Sequence, residues 1–440
     1  NQVASGLSGL GLRPGDKVAL TYPNIPYFPI VYYGILKAGG VVVPLSVLLK
    51  QDEVAYHLQN SDAKAYFCFE GTPELPMGEY GYKGFNKADD CDRFFMIMAN
   101  PSAPSKIEGT ETLSSLMNGK SPGFETHPTI ESDTAVIIYT SGTTGKPKGA
   151  ELSHSNLLLN ARVTAAPDLA NLSHSDHILT VLPLFHIFGQ TVLMNAGILV
   201  GAKLILMARF DAEGAFNLFD TEAITVFAGV PTMYWALLHT DTSNINIEKI
   251  SANFRICVSG GASLPVAVLE EFEAKYNVQI IEGYGMSEGS PVVTFNHSDR
   301  GRKPGSVGNP IWGVEVKLVD DNGKEVPVGE KGELIYKGHN VMKGYYKNPI
   351  ETEKTLKDGW LYSGDIAIED EDGFFYIVDR TKDMIIRAGL NVYPREVEAA
   401  MMKNDAISLV AIIGIPDEIK GEEIKAYVVL KPGKSATIRS

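Results

Sequence analysis

The feature that most limits how this chain can fold is an alternation of short β-rich runs with helical patterns. Residues 17–22 read as a strand, 26–37 as an amphipathic helix, and 40–45 as a second strand entered through Gly39-Gly40. A helix over 53–60 and a strand over 63–69 continue the pattern. A helix between successive strands is a crossover, and crossovers join parallel neighbours, so the rhythm predicts a parallel sheet covered by helices. Residues 71–128 lose the rhythm and gain Gly, Pro, Lys and Asp, which reads as an irregular excursion. Strand-like runs resume at 134–139, 224–228, 254–259 and 279–281. After Gly305 the style changes to hairpins: runs at 314–320 and 332–337 flank Asp321-Asn322-Gly323, a turn signal, and 374–378 is a further strand. A small α+β unit begins near Lys382, with a helix over 394–403 and strands over 409–415 and 423–430. The expected fold is α/β. A large multi-layer N-terminal domain with parallel-rich sheets occupies 1–380, its hairpin-rich subdomain lying at about 305–380. A small α+β C-terminal lid domain occupies 381–440. A length of 440 residues accords with more than one domain.

Charge and cysteine usage exclude several classes. With 39 basic and 53 acidic residues the net charge is −14, which argues against a sequence-independent grip on nucleic acid. Cys68, Cys91 and Cys257 are odd in number and far apart, so neither a disulfide framework nor a structural zinc site is expected. A reducing, cytoplasmic setting follows. Residues 178–202 carry no formal charge and are long enough to span a bilayer. They also contain Pro183, His186, Gly189, Gln190, Asn195 and Gly197, which suit a buried strand, loop and helix better than a transmembrane span. Association with a membrane surface and homodimerisation stay open. The chain starts without an initiator Met or a signal-peptide pattern and stops just after a strand-like run, so it reads as trimmed at both ends, with the C-terminal unit incomplete.

Three segments carry chemistry. Tyr139-Thr140-Ser141-Gly142-Thr143-Thr144-Gly145-Lys146-Pro147-Lys148-Gly149 follows an apolar strand and precedes a helix starting near Ser153. Its hydroxyls, glycines and lysines suit a triphosphate: backbone N–H groups approach, hydroxyls donate, ammonium groups neutralise. It is not the Walker pattern, since two residues separate Gly142 from Gly145 and Pro147 follows the lysine. The bland reading is a Gly/Thr-rich surface turn. The second segment, Glu282-Gly283-Tyr284-Gly285-Met286-Ser287-Glu288-Gly289, misses the dinucleotide fingerprint because Glu288 stands where its third glycine belongs. A loop carboxylate there can hold Mg²⁺, and Tyr284 offers a flat face to a purine; alternatively Glu288 caps a helix and Tyr284 packs in the core. The third pairs Asp365, in Trp360-Leu361-Tyr362-Ser363-Gly364-Asp365, with Arg380. A loop carboxylate can accept from both hydroxyls of a ribose, although each residue alone would more often be a surface charge.

Together with Phe185-His186 and the run 258–265, and in this order, these segments resemble the acyl-adenylate-forming superfamily, most of all bacterial fatty acyl-CoA synthetases. The resemblance runs from near Gly15 to Gly433. It implies that Thr140, Ser141, Gly142, Thr143, Thr144, Gly145, Lys146 and Lys148 wrap the ATP phosphates. Gly260, Gly261 and Ala262 would edge the adenine, while Tyr284, in the loop of Glu282, Gly283 and Gly285, would stack on it. Ser287 would contact phosphate and Glu288 would carry Mg²⁺. Asp365 and Arg380 would hold the ribose. His186 would sit beside the carboxylate being activated, its bland reading being a satisfied core histidine. Lys382 matches a hinge about which the small domain rotates, and Gly389 matches a loop lining the thiol tunnel, or is a plain turn glycine.

The implied reaction moves AMP from ATP onto a carboxylate with loss of pyrophosphate, and coenzyme A then takes the acyl group. The segments 185–189, 227–232, 283–286 and 291–295 are the expected acid pocket. They are apolar, and His186 is the only residue in them that can carry positive charge, so a medium- or long-chain fatty acid is the preferred substrate. Aryl and hydroxycinnamic acids remain alternatives. An amino-acid adenylation domain is another, with Asp211 in the region where such relatives anchor an α-amine. From outside the enzymes, a nucleotide or acyl-ligand sensor competes. Family members carry an adenylation lysine in a late Gly-Lys segment, whereas Lys434 lies in a strand-end loop. The 1–440 chain is therefore expected to adenylate poorly. Near-normal acid-dependent pyrophosphate release by that chain would refute this.

Overall fold

The computed structural model describes residues 1–140, 146–297, 301–381, 383–387, 390–404, 406–417, 420–431 and 433–435. Its first sheet has eight strands, in the order Gly344–Tyr345, Lys148–Ser153, Thr134–Thr140, Val41–Pro44, Lys17–Thr21, Ala63–Phe69, Arg93–Ile97 and Glu111–Thr112. From Thr134–Thr140 onward neighbours are parallel, with Leu20 opposite Pro44 on one side and Phe67 on the other. Lys148–Ser153 and Gly344–Tyr345 extend the sheet antiparallel. The second sheet is parallel through Lys203–Leu206, His177–Thr180, Val226–Gly229, Ile256–Ser259 and Ile280–Gly285, then adds Val292–Phe295 and Asn309–Pro310 antiparallel.

The central strands of both sheets are covered on both faces, so they are apolar nearly throughout, and successive residues serve different cores. Val18, Leu20 and Val42 join the cluster that also takes Ile178, Val226 and Val258, which welds one sheet to the other. Ala19, Val41 and Val43 face the helix Gln51–Ser61 instead. Phe227 and Cys257 face away from the first sheet, toward the helices Ala212–Thr221 and Val266–Tyr276. The uncharged stretch is a strand, His177–Thr180, then a loop, then a π-helical segment Phe188–Asn195 running into the helix Ala196–Val200. Among the described residues no helix is long and apolar enough to cross a membrane. Local signals set the helix starts. Ser153 Oγ accepts from Asn156 N–H and Asn156 Oδ1 accepts from Ser153 N–H, which starts His154–Ala165.

A third, antiparallel sheet contains Val314–Val319, Lys331–Gly338, Trp360–Glu369, Leu356–Lys357 and Phe375–Arg380. The small C-terminal domain carries a fourth: Leu390–Val392, Ile385–Arg387, Gly421–Leu430 and Ile407–Asp417, with the helix Pro394–Met401 beside it. Contacts between this domain and the body include Arg395 Nη1 to Ser263 Oγ at 2.8 Å, Lys331 to Glu396 at 2.7 Å, and Trp235 Nε1 to Ser408 Oγ at 3.2 Å.

One expectation is corrected. Residues 71–128 are not one irregular excursion: they hold the helices Met77–Phe85 and Leu113–Met117 and the strands Arg93–Ile97 and Glu111–Thr112, which complete the first sheet. The glycines of Met77–Phe85 were misleading because they serve close packing. A Cβ at Gly78 would fall 2.8 Å from Met96 Sδ, at Gly81 2.6 Å from Cys68 Sγ, and at Gly84 2.7 Å from the Gln51 carbonyl oxygen. The Thr/Gly-rich segment does precede a helix capped by Ser153, with Lys148–Ser153 between them as a strand pairing back on Thr134–Thr140. Replacing Gly84 with Ala should lower the unfolding midpoint, because overpacking costs about 1–3 kcal/mol against about 1 kcal/mol gained in helix propensity. Thermal denaturation checks it, and a raised midpoint would remove the packing account.

Candidate active site

A cavity of about 820 Å³ opens where Thr134–Thr140, Ile256–Ser259 and Ile280–Gly285 end at their carboxyl termini. The third sheet and the helix Pro349–Thr355 close it from the other side. Loops at the carboxyl ends of parallel strands are the usual home of an α/β binding site. Of the residues singled out in the sequence, Thr140, Lys148, His186, Gly260, Gly261, Gly283, Tyr284, Gly285, Ser287, Glu288, Asp365 and Arg380 line this one cavity.

Its polar end is a bonded network. Thr140 and Lys148 are directly opposite in the antiparallel pair, so the hairpin delivers both to one place. Glu288, buried in a single 3₁₀ turn, accepts at Oε1 from Tyr345 Oη at 2.7 Å and from Thr140 Oγ1 at 3.4 Å. The Lys148 ammonium lies 3.0 Å from Glu351 Oε2 and 4.4 Å from the centre of the Tyr345 ring. Across the cavity Asp365 and Arg380 are register partners, with Arg380 Nε 3.2 Å from Asp365 Oδ1. Tyr284 donates to Asp365 Oδ2 at 2.5 Å. Burial pushes the Asp365 carboxyl above the usual carboxylate range, against the Tyr284 hydroxyl and the Arg380 and Arg395 charges.

The His186 ring is open to the cavity, and its partial desolvation lowers its pKa and favours the neutral form. Phe188 N–H donates to Nδ1 at 3.2 Å, which assigns the remaining proton to Nε2. The loop carrying His186 is held by Asn24, a buried side chain that donates to the Thr180 and Leu182 carbonyls and accepts from Leu184 N–H, all at 2.9 Å. Apolar side chains form the wall beyond: Ile187, Phe188, Val192, Met286, Val292 and Phe295. Gly285 is required here, because a Cβ would stand 2.0 Å from the Pro291 carbonyl oxygen.

Other expected residues lie elsewhere. Lys146 is exposed, 5.9 Å from the Tyr56 ring centre, and Ala262 is outside the cavity lining. Glu282 accepts from the backbone N–H of Leu264 and Gly305, and thus braces two loops. Residues 227–232 do not line the cavity, because Phe227 packs on the far face of its strand. Asp211 is exposed and caps the helix Ala212–Thr221 by accepting from Gly214 N–H at 2.6 Å. Ser141, Gly142, Thr143, Thr144, Gly145, Lys382 and Gly389 fall outside the described residues. Sequence reasoning missed Asn24, Tyr345 and Glu351. Only Glu351 had a local signal, the Asn348-Pro349 helix start, and that signal announces a helix rather than a site.

Among the described residues no three His, Cys, Asp or Glu gather as a metal cage. Glu288 and the Thr140 hydroxyl are hard oxygen donors, the type that fits Mg²⁺, an ion that takes few protein ligands and leaves other positions to phosphate and water.

The AMP-binding enzyme family model matches residues 1–346, and the AMP-binding enzyme C-terminal domain matches 396–440. The chain is 36% identical to a long-chain-fatty-acid–CoA ligase of Bacillus subtilis, covering 99% of this chain and 80% of that protein. It is 34% identical to a feruloyl-CoA synthase of an Amycolatopsis species, covering 98% and 82%. Among solved structures, ATP-bound MatB from Rhodopseudomonas palustris superposes with a TM-score of 0.87 at 31% identity, covering 99% of this chain and 82% of that one.

Burial raises Glu282 from its ordinary value of 4.5 to about 7. Between those values the folded state holds a proton that the unfolded chain has lost, so this group's contribution to stability declines as pH rises. Glu282→Gln removes the titration. Its unfolding midpoint relative to wild type should therefore rise from pH 5 to pH 8, and a flat difference in a thermal-shift series would exclude the assignment.

Proposed function

The chain belongs to the AMP-binding enzyme family, and from that premise we propose that it is an AMP-forming acid–thiol ligase that activates a medium- or long-chain fatty acid. The reaction has two halves. The carboxylate attacks the α-phosphorus of ATP, giving acyl-AMP and pyrophosphate. The coenzyme A thiol then attacks the acyl carbonyl, forms the thioester and expels AMP. A bare carboxylate resists the thiol because oxide is a poor leaving group; AMP is a good one. Little covalent work falls to the protein, so positioning and charge stabilisation carry the rate.

The cavity's residues suit those tasks. Lys148, Thr140 and Ser287 provide cationic and hydroxyl donors for phosphate oxygens. Glu288 and Thr140 would hold Mg²⁺, which supplies positive charge against the phosphates when bound. Asp365 and Arg380 present an acceptor and a donor for a ribose, and the Tyr284 ring offers a flat wall for adenine. A neutral His186 with its proton on Nε2 can donate to a carboxylate oxygen without adding charge to the apolar wall. The hinge role of Lys382 and the tunnel role of Gly389 belong to the same proposal.

The observation that carries the choice of acid is the wall of Ile187, Phe188, Val192, Met286, Val292 and Phe295 next to His186. It has no charged side chain to meet a second carboxylate or an amine, so an apolar tail gains by burial at about 0.8 kcal/mol per methylene. Asp211, spent on a helix cap, weakens the amino-acid reading. The feruloyl-CoA synthase relative keeps a hydroxycinnamate as the second reading. The deciding measurement is AMP formation by the full-length gene product with ATP, Mg²⁺, coenzyme A and a graded acid series. kcat/KM should climb from butyrate to laurate or beyond and exceed the ferulate value. Preference for ferulate would replace the substrate, and no AMP with any acid would sink the ligase reading.

A further inference from the structure

Glu351 stands where a simple phosphate site would not place a carboxylate. It lines the cavity and is only 14% exposed, and Lys148, the cation it holds at 3.0 Å, is 11% exposed. Its other oxygen takes Lys354 Nζ at 2.7 Å, and Lys354, also a lining residue, is 65% exposed. A nearly enclosed ammonium and carboxylate therefore meet a second ammonium that is open to solvent. Glu351 is held firmly in that position. Its backbone N–H is capped by Asn348 Oδ1 at 3.2 Å, at the start of the helix Pro349–Thr355. The Tyr345 ring backs Lys148, while the same residue's hydroxyl is committed to Glu288.

We propose that Glu351 is the exchange partner of Lys148 and sets how tightly the site retains phosphate, pyrophosphate above all. This rests on the ligase reading given above. An anion that takes Lys148 must displace or share it with a carboxylate already in contact, so each phosphate contact is weakened by the ion pair it breaks. When pyrophosphate leaves, the Lys148 ammonium returns to Glu351, so it keeps an anionic partner throughout the cycle. Lys354 offers the departing anion a solvent-exposed cation one step nearer the surface. No bond to Glu351 forms or breaks; its part is electrostatic. A neutral amide in its place keeps the shape and the helix but removes the competitor.

The test compares Glu351→Gln with wild type by two readouts. Calorimetric titration of magnesium pyrophosphate into the full-length protein needs no acid substrate, and the variant should bind roughly tenfold more tightly, the scale of one removed charge contact. In steady-state turnover with the best acid, KM for ATP and the inhibition constant for pyrophosphate should both fall. kcat should fall too, while single-turnover acyl-AMP formation holds. Glu351→Asp, which retracts the charge by one methylene, should lie between the two. Weaker or unchanged pyrophosphate binding in Glu351→Gln would overturn the proposal and leave Glu351 as a residue that only orients Lys148. If wild type binds pyrophosphate and behaves as stated while no acid is consumed, the ligase reading fails and the exchange role stands.

Discussion

Parallel pairing is the constraint on which the rest of this molecule depends. Strands that all run the same way must finish at the same edge, and the chain leaves them there through loops free of ladder hydrogen bonds. Thr140, Ser259 and Gly285 are the last residues of three such strands, taken from two different sheets. The apolar cluster shared by Val18, Leu20, Ile178, Val226 and Val258 holds those sheets face to face. Their loop-bearing edges converge, and a cavity results without any side chain having been selected to make one. The antiparallel third sheet then supplies Asp365 and Arg380 from adjacent strands at matched register, which places a carboxylate and a guanidinium together by backbone pairing alone.

Much of this was legible in the sequence, for a physical reason. Strands buried on both faces must be apolar throughout, and short runs such as 17–22 and 254–259 announce themselves. Residues 71–128 were not legible. Glycine reads as a breaker when each position is judged alone, yet Gly78, Gly81 and Gly84 are there because neighbouring chains come too close for a Cβ. Within the site, loops dense in hydroxyls and glycines were visible because their composition is odd. Asn24 and Glu351 were invisible because asparagine and glutamate are ordinary residues, and what distinguishes them is a partner more than a hundred residues away: Leu184 for one, Lys148 for the other. Glu282 shows the converse, a residue inside a motif whose side chain is turned to bracing backbone.

The electrostatics repeat this lesson at larger scale. A net charge of −14 gives the protein a field that opposes ATP, pyrophosphate and coenzyme A. Attraction has to be local, and the cavity supplies it with Lys148, Lys354, Lys357 and Arg380. Three of these are themselves paired with carboxylates, Lys148 and Lys354 with Glu351 and Arg380 with Asp365. On the exchange role proposed for Glu351, the site trades partners among charges already in place. Trading suits a polyanion that must leave as readily as it arrives.

The small C-terminal domain touches the body through side chains such as Arg395, Glu396 and Ser408. No described residue after Ile377 belongs to any of the three apolar clusters of the body or packs against one. Each of those three polar contacts has an equivalent in water, and exposed ion pairs are worth about 0–1 kcal/mol. Sliding this domain across the body would trade protein partners for solvent partners and uncover none of the body's three cores. These polar contacts can be exchanged for water without opening an apolar core, so they act less as a weld than as a bearing surface.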